Sequence, residues 1–293
     1  MNLIQTQSLS AGQAEQILAL LEDCQKIQPI HISFPFEDGN CFLLLLDESD
    51  ALAAVMGMIL PPDGSSDEEP VECIAFTRPS MRRRGYFAAL LEEACAISGE
   101  HDILFPVDPG SADTTATMKA IHADCVDQEY QMKWVFDPAA GRFESPMVKK
   151  RPLTFTCASA PEGNVNESVD PESCWDSFHS ADAPDPSVTI LTYEFLEVPP
   201  DPMCSPAAVC MARMQPVLET PGAFHACFYG FQVHELCRGL GIGEAAFCLV
   251  LDDLIRRGCT QIVLHVSSDN YPALSIYKKA GFRITETLSY FMY

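Results

Sequence analysis

VHELCRGLGIGEAAF, residues 233–247, joins a strand-like run, Phe224–Val233, to a helix-like one, Gly243–Arg257. Its glycines at 239, 241 and 243 permit close backbone approach and dihedral angles that other residues avoid. The helix they open begins with N–H groups that lack an intrahelical partner, and its dipole is positive there, so the turn can cradle an anion. Arg238 adds a fixed charge beside it. A tight strand-to-helix turn without any ligand would also be glycine-rich, so the turn alone leaves both readings open. Phe247, Val250, Leu251 and Leu254 give the helix an apolar face, Arg256 and Arg257 lie at its negative end, and Gly258 stops it. Gln261–Val266 then reads as a buried strand.

A second stretch, VSSDNYPALSIYKKAGF at residues 266–282, follows. The two together resemble the GNAT superfamily of acetyl-CoA-dependent N-acetyltransferases. Arg238, Gly241 and Gly243 meet its Q/R-x-x-G-x-G/A hallmark, and Asn270, Ala273, Tyr277, Gly281 and Phe282 meet N-x-x-A-x-x-x-Y-x-x-x-G-F. One departure is Glu235 after Val233 and His234, where the family often has proline. The resemblance covers roughly residues 190–293 in this strong form. It implies a mixed sheet that splays between the strand ending near Val233 and the strand Gln261–Val266. Acetyl-CoA, the acetyl-donor cosubstrate, would place its pantetheine arm in the splay. Its pyrophosphate would rest on the loop of Val233, Arg238, Gly239, Leu240, Gly241, Ile242, Gly243 and Glu244. Asn270 and Ala273 would orient the arm or the start of the next helix. The resemblance makes Tyr277 the general acid that reprotonates the departing thiolate. A phenol with a pKa of about 10 stays protonated at neutral pH and can serve that role. A helical tyrosine packing on the core is the alternative. Glu235 is the candidate general base, although an amine can also lose its proton through water.

The first half repeats the plan in weaker form. TRPSMRRRGYF, residues 77–87, sets Arg82 and Gly85 at the first hallmark positions, with Phe87 where the last small residue belongs. Aligning ATMKAIHADC, 116–125, with ALSIYKKAGF, 273–282, replaces Tyr277 by Ala120, Gly281 by Asp124 and Phe282 by Cys125. The endings EYQMKW, 129–134, and SYFMY, 289–293, also agree. Arg82, Arg83, Arg84 and Gly85 mark either a second, weaker coenzyme A site or a solvated loop with ordinary ion pairs. The fold expected is α/β (mixed α+β), two tandem GNAT-like domains, each a splayed mixed sheet flanked by helices. Residues 1–145 form the degenerate copy and 146–293 the working one, with the junction in proline-rich sequence near 140–150 and loop-rich structure continuing towards Ser205.

Elsewhere in the first half, Ser10 with Gln13 makes a capping box ahead of a helix carrying Ile17, Leu18, Leu20 and Leu21. Cys41–Leu46, Ala51–Leu60, Val71–Phe76 and Ile103–Val107 read as strands, and Phe87–Ile97 as a helix ended by Gly99.

Composition narrows the function classes. The 293 residues are 47% hydrophobic and 20% charged, which is the make-up of folded domains. The net charge is −23, with 24 acidic against 10 basic residues up to position 150 and 17 against 8 beyond it. Both halves repel nucleic acid and anionic lipid. No basic residue precedes Lys26 and no apolar stretch approaches the ~20 residues of a membrane span, so a cytoplasmic protein is expected. The 13 cysteines are scattered and odd in number, with neither CxxC nor CxC spacing, and the histidines are dispersed, so no metal is expected. Small buried thiols in a reducing compartment are the reading. No oligomer is indicated. The function expected is N-acetylation of a small-molecule or peptide amine by direct attack on the acetyl thioester, catalysed in the C-terminal copy. A non-catalytic acyl-CoA-binding regulator is one alternative. The other is a peptide or protein N-acetyltransferase that docks its substrate on the N-terminal copy.

Overall fold

A computed structural model describes residues 2–28, 31–62, 69–136, 153–161, 187–198, 203 and 205–293. The chain divides into two compact units. One holds Met1–Gln128 with Thr287–Tyr293, and the other holds Glu129–Glu286. The expected junction at 140–150 lies outside the described residues.

In the first unit the order is β1 (Asn2–Thr6), α1 (Ala11–Gln25), β2 (Cys41–Leu46), β3 (Leu52–Ile59), β4 (Val71–Thr77), α2 (Tyr86–Ser98), β5 (Ile103–Val107), α3 (Ala112–Ala120) and the start of β6 (Asp124–Val135). Strands β1 to β4 pair antiparallel in sequence order, and β4 is parallel to β5. Ser10 caps α1 through the reciprocal capping box, its hydroxyl accepting from the Gln13 N–H at 3.3 Å while the Gln13 side chain accepts from the Ser10 N–H at 2.9 Å. Strands β2 and β3 are apolar without alternation because both faces are covered. Leu43, Leu45 and Met56 pack with Leu90 of α2, whereas Leu44 and Val55 pack with Ile17 and Leu20 of α1. Strand β1 is an element that the sequence reading passed over. It is a short, mostly exposed edge strand with no strong apolar pattern of its own.

The second unit continues with β7 (Leu153–Pro161), β8 (Thr189–Glu197), β9 (Ala208–Pro216), β10 (Phe224–Val233), α4 (Ile242–Arg256), β11 (Cys259–Ser267), α5 (Tyr271–Lys279) and the start of β12 (Arg283–Met292). Strands β7 to β10 pair antiparallel in sequence order, and β10 is parallel to β11. Strands β7 and β8 correct the expectation of loop continuing to Ser205. Thr154, Thr156 and the aromatic residues of β8 alternate in period two, and Tyr193 and Phe195 are fully buried. Prolines around the strands concealed that pattern.

Each half of the sequence gives its last strand to the other unit. Ser289–Met292 of β12 pair antiparallel with Val107–Leu104 of β5 in the first unit. Glu129–Val135 of β6 pair with Ser267–Gln261 of β11 in the second. The units therefore differ from a simple cut at 145/146 by an exchange of terminal strands.

All described cysteines are free thiols, and most are buried. Burial pushes the thiols of Cys73 and Cys210 up and that of Cys259 up to about 12, so the nucleophilic thiolate is suppressed. No described helix is long and apolar enough to cross a membrane.

The exchange sets an expected outcome for Phe291→Pro, which removes one ladder N–H opposite Phe105. Hydrogen exchange should speed up at Ile103–Val107 in the first unit while β11 keeps its protection. The loss should be of the order of 1–3 kcal/mol, that of a buried hydrogen-bonding group left unpaired.

Candidate functional site

Strands β10 and β11 pair from Phe224/Cys259 to Phe228/Leu264, with a register shift after Phe224, and part beyond that. Beyond Phe228, β10 runs on to Val233 with no partner on β11, so the pair opens. On its other side β10 shifts register against β9 between Tyr229 and Gln232, where Gly230 adopts φ +60°. This is a bulge, and it turns backbone groups out of the ladder at the mouth of the opening.

The chain then makes a turn. His234 Nδ1 accepts from the Leu236 N–H at 3.4 Å, and Arg238 Nε donates to the Val233 carbonyl at 3.1 Å. Gly239 and Gly241 have φ of +71° and +82°, and Gly241 is the N-cap of α4. An L side chain at Gly241 would be strained in that left-handed conformation. No side chain caps α4, which leaves its first N–H groups facing outward at the end of the opening. Gly243 faces the other way. A Cβ there would lie 3.2 Å from Val233 Cγ2 and 3.4 Å from Ile276 Cδ1, so glycine lets α4 start against β10 and α5. Glu244 is held by Lys279 at 3.3 Å, while Leu240 and Glu235 are exposed and Ile242 is buried.

Asn270 is the N-cap of α5, its side chain accepting from the Ala273 N–H at 3.3 Å. Of the two parts expected of it, orienting the helix start is the one on view. Tyr277 is 5% exposed within a cluster of rings, 4.9 Å from Phe247, 6.1 Å from Phe282 and 6.3 Å from Phe228. Phe228 is the residue at which β10 and β11 part, so the tyrosine ring lies by the apex of the opening.

The far end of α4 is fixed by contacts that the sequence reading missed. Asp253, buried, accepts from Tyr193 Oη at 2.9 Å and from Arg257 Nε at 2.6 Å. Burial first, then the neighbouring Asp253 charge, pushes the Tyr193 hydroxyl up, which keeps it a donor. By sequence position Arg257 is a charge suited to the helix dipole; in the fold it also pairs with Asp253. An Asp at the i−4 position was the available signal.

The first-half loop has the same backbone. Arg82 (φ −60°, ψ 153°) matches Arg238 (φ −68°, ψ 151°), and Gly85 (φ 85°, ψ 2°) matches Gly241 (φ 82°, ψ 3°) as the N-cap of the following helix. Arg82 Nε donates to the Thr77 carbonyl at 3.4 Å, as Arg238 does to Val233. Arg82 and Arg83 also pair with Asp113 at 3.4 and 3.2 Å, and Arg84 Nη1 reaches Met81 Sδ at 3.7 Å.

Tyr193→Phe keeps the ring and removes a hydrogen bond to a charged group, a contribution of about 1.5–3 kcal/mol. The variant is expected to melt at lower temperature by calorimetry.

The comparisons with known proteins agree with this geometry. Residues 172–282 match the Acetyltransferase (GNAT) family. A mycothiol acetyltransferase of Corynebacterium jeikeium is 44% identical over 61 residues, a segment covering 19% of this chain and only 18% of that relative. A mycothiol acetyltransferase of Clavibacter michiganensis is 26% identical over 85% of this chain and 82% of its own. The solved tandem GNAT protein from the clavulanic acid biosynthesis pathway shares the fold with a TM-score of 0.62 and 13% identity, over 100% of this chain and 98% of that one. The opening between β10 and β11, the cradle at the start of α4 and these matches lead to one assignment: the chain carries, in residues 172–282, an acetyltransferase domain of the GNAT family.

Proposed function

We propose that the second unit transfers an acetyl group from acetyl-CoA to an amine, small-molecule or peptide. The observation that carries this reading is the parallel pair that parts at Phe228 and ends in an uncapped helix start behind Gly241. The residues present fit coenzyme A. The edge of β10 turned away from β9, beyond its last pairing with β11, offers backbone groups to an extended amide-bearing arm, and the N–H groups of Ile242–Glu244 with Arg238 offer donors and charge to a pyrophosphate. Relatives named mycothiol acetyltransferase support acetyl as the group moved.

The cosubstrate supplies an acyl carbon activated by a thiol leaving group. Every other part falls to the protein. The splay holds the carbonyl in line for the amine, which replaces a bimolecular encounter by a positioned one. Backbone N–H groups freed by the bulge at Gly230 donate to the carbonyl oxygen as negative charge gathers on it. The Tyr277 hydroxyl gives its proton to the sulfur as the carbon–sulfur bond breaks. The attacking nitrogen sheds its proton to water, with Glu235 as the proposed acceptor on the exposed turn.

Gly241→Val places a β-branched residue at φ +82° and closes the cradle. Acetyl-CoA affinity, read by titration calorimetry on folded variant, should drop at least tenfold. An unchanged dissociation constant would move the cradle elsewhere.

Tyr277→Phe removes the proton donor and retains the ring in its cluster. General acid–base groups contribute about 10²–10⁴ in rate. The loss is expected in kcat with acetyl-CoA binding nearly unchanged, and it should shrink with a donor whose thiol is more acidic. A purely structural tyrosine gives a lower melting temperature with normal turnover per folded molecule, and that result would remove Tyr277 from the chemistry.

A further inference from the structure

Strand β7 (Leu153–Pro161) is the edge strand of the second unit. Among the described residues it pairs with β8 alone, and the register runs without a shift from Leu153/Glu197 to Pro161/Thr189. Its other edge presents a row of backbone N–H and C=O groups outside that ladder. Leu153, Phe155 and Cys157 pack on the core, while Thr154, Thr156, Ala158 and Ser159 are exposed. Edge strands are ordinarily protected against pairing with another chain by shortness, a bulge, a charge or an interior proline. LTFTCASAP has no charged residue and no bulge, and its one proline is the last residue. By contrast β1, the edge strand of the first unit, is only five residues long. The backbone of β7 is also held firmly, because Arg257, bonded to Asp253 at the end of α4, donates to Cys157 Sγ at 3.6 Å.

Charge indicates what the edge receives. In the sequence Lys149, Lys150 and Arg151 stand just before β7, and Glu162, Glu167, Asp170 and Glu172 follow it. No Lys or Arg occurs between Arg151 and Arg213. The strand is thus a neutral segment with a positive flank before it and a negative flank after it. Two copies laid antiparallel bring the positive flank of each beside the negative flank of the other, twice over, about a two-fold axis. Parallel pairing would set like charges together. We propose that the exposed edge of β7 docks the same edge of a second copy of this chain, antiparallel, so that two sheets join through their β7 strands. Full overlap sets Cys157, the middle residue, on the two-fold axis and Thr156 opposite Ala158 of the second copy. The backbone supplies the bonds, and the flanks supply the direction and the choice of partner.

The test is sedimentation equilibrium of the full chain at low salt, taken up to about 100 μM because a single strand edge is a small interface. The mass should rise with concentration to twice the 32.2 kDa of the chain and stop there. Thr154→Lys with Thr156→Lys puts charges on the exposed face of the edge, close to those of the second copy, and should loosen the dimer at least about tenfold. Thr156→Ser should leave it intact. If the lysine variant does not fold, Lys149→Glu with Lys150→Glu, outside the strand, should loosen the dimer at least about fivefold. Added salt should weaken the parent dimer as well. Hydrogen exchange gives an independent reading: amides of β7 should gain protection as the concentration rises, while those of β1 do not. A monomer throughout, a dimer that survives the lysine pair, or one indifferent to salt would overturn the proposal. Growth beyond the dimer that Leu3→Lys in β1 abolishes would also overturn it, since β7 would then be meeting β1.

Discussion

Two parallel strands that bond at their starts and then part are the constraint on which each unit depends. A parallel ladder satisfies backbone groups evenly, and a strand that leaves it keeps donors and acceptors that need another partner. In the second unit the parting follows Phe228 and is fixed by the bulge at Gly230, by the ring cluster at its apex and by the turn that starts α4. The opening begins where the pairing of β10 with β11 ends. The left-handed residue at Gly241 aims the first turn of α4 at the end of the same opening. The groove and the proposed anion cradle thus follow from one backbone path.

The two units keep the path of the loop and differ in how far their parallel strands pair and in what fills the opening. Arg82 and Arg238 bond the carbonyl at the end of their strands in the same way, and Gly85 and Gly241 cap their helices with nearly equal dihedral angles. The second unit puts bulk on the strand and α5, as Phe231 and Tyr277, and keeps Gly243 small on the helix. The first puts bulk on α2, as Phe87, leaves Ala75 small on β4, and has Met118 where the turn bonds of α3 and α5 match Tyr277. The earlier parting of β4 from β5 and the smaller side chain at Ala75 act together to separate the two centres.

Charge is arranged locally within an acidic molecule. Against a net −23, Arg82, Arg83 and Arg84 stand together before α2, while Arg238 stands alone before α4. Asp253 concentrates its partners at the opposite end of α4, where Tyr193 and Arg257 satisfy a buried carboxylate. Such a carboxylate left without partners would carry a large desolvation cost, so the pairing locks the helix that presents the cradle.

Features governed by neighbours in the chain were legible in the sequence. The capping box at Ser10, the glycine turn at 239–243, the limits of β10 and the repeat of the loop at Arg82 rest on dihedral preferences and short-range periodicity. The N-cap bond of Asn270 is local in the same way. What only the tertiary structure decided depends on distant partners. EYQMKW and SYFMY read as equivalent strand endings, yet they lie in exchanged units, because ladder bonds join backbone groups that every residue carries and do not identify their source. The Asp253–Tyr193 bond spans 60 residues, and the point at which β4 leaves β5 is set by strands that lie about 30 residues apart in sequence. Periodicity assigns a residue to a face, but only packing in three dimensions determines what meets it there.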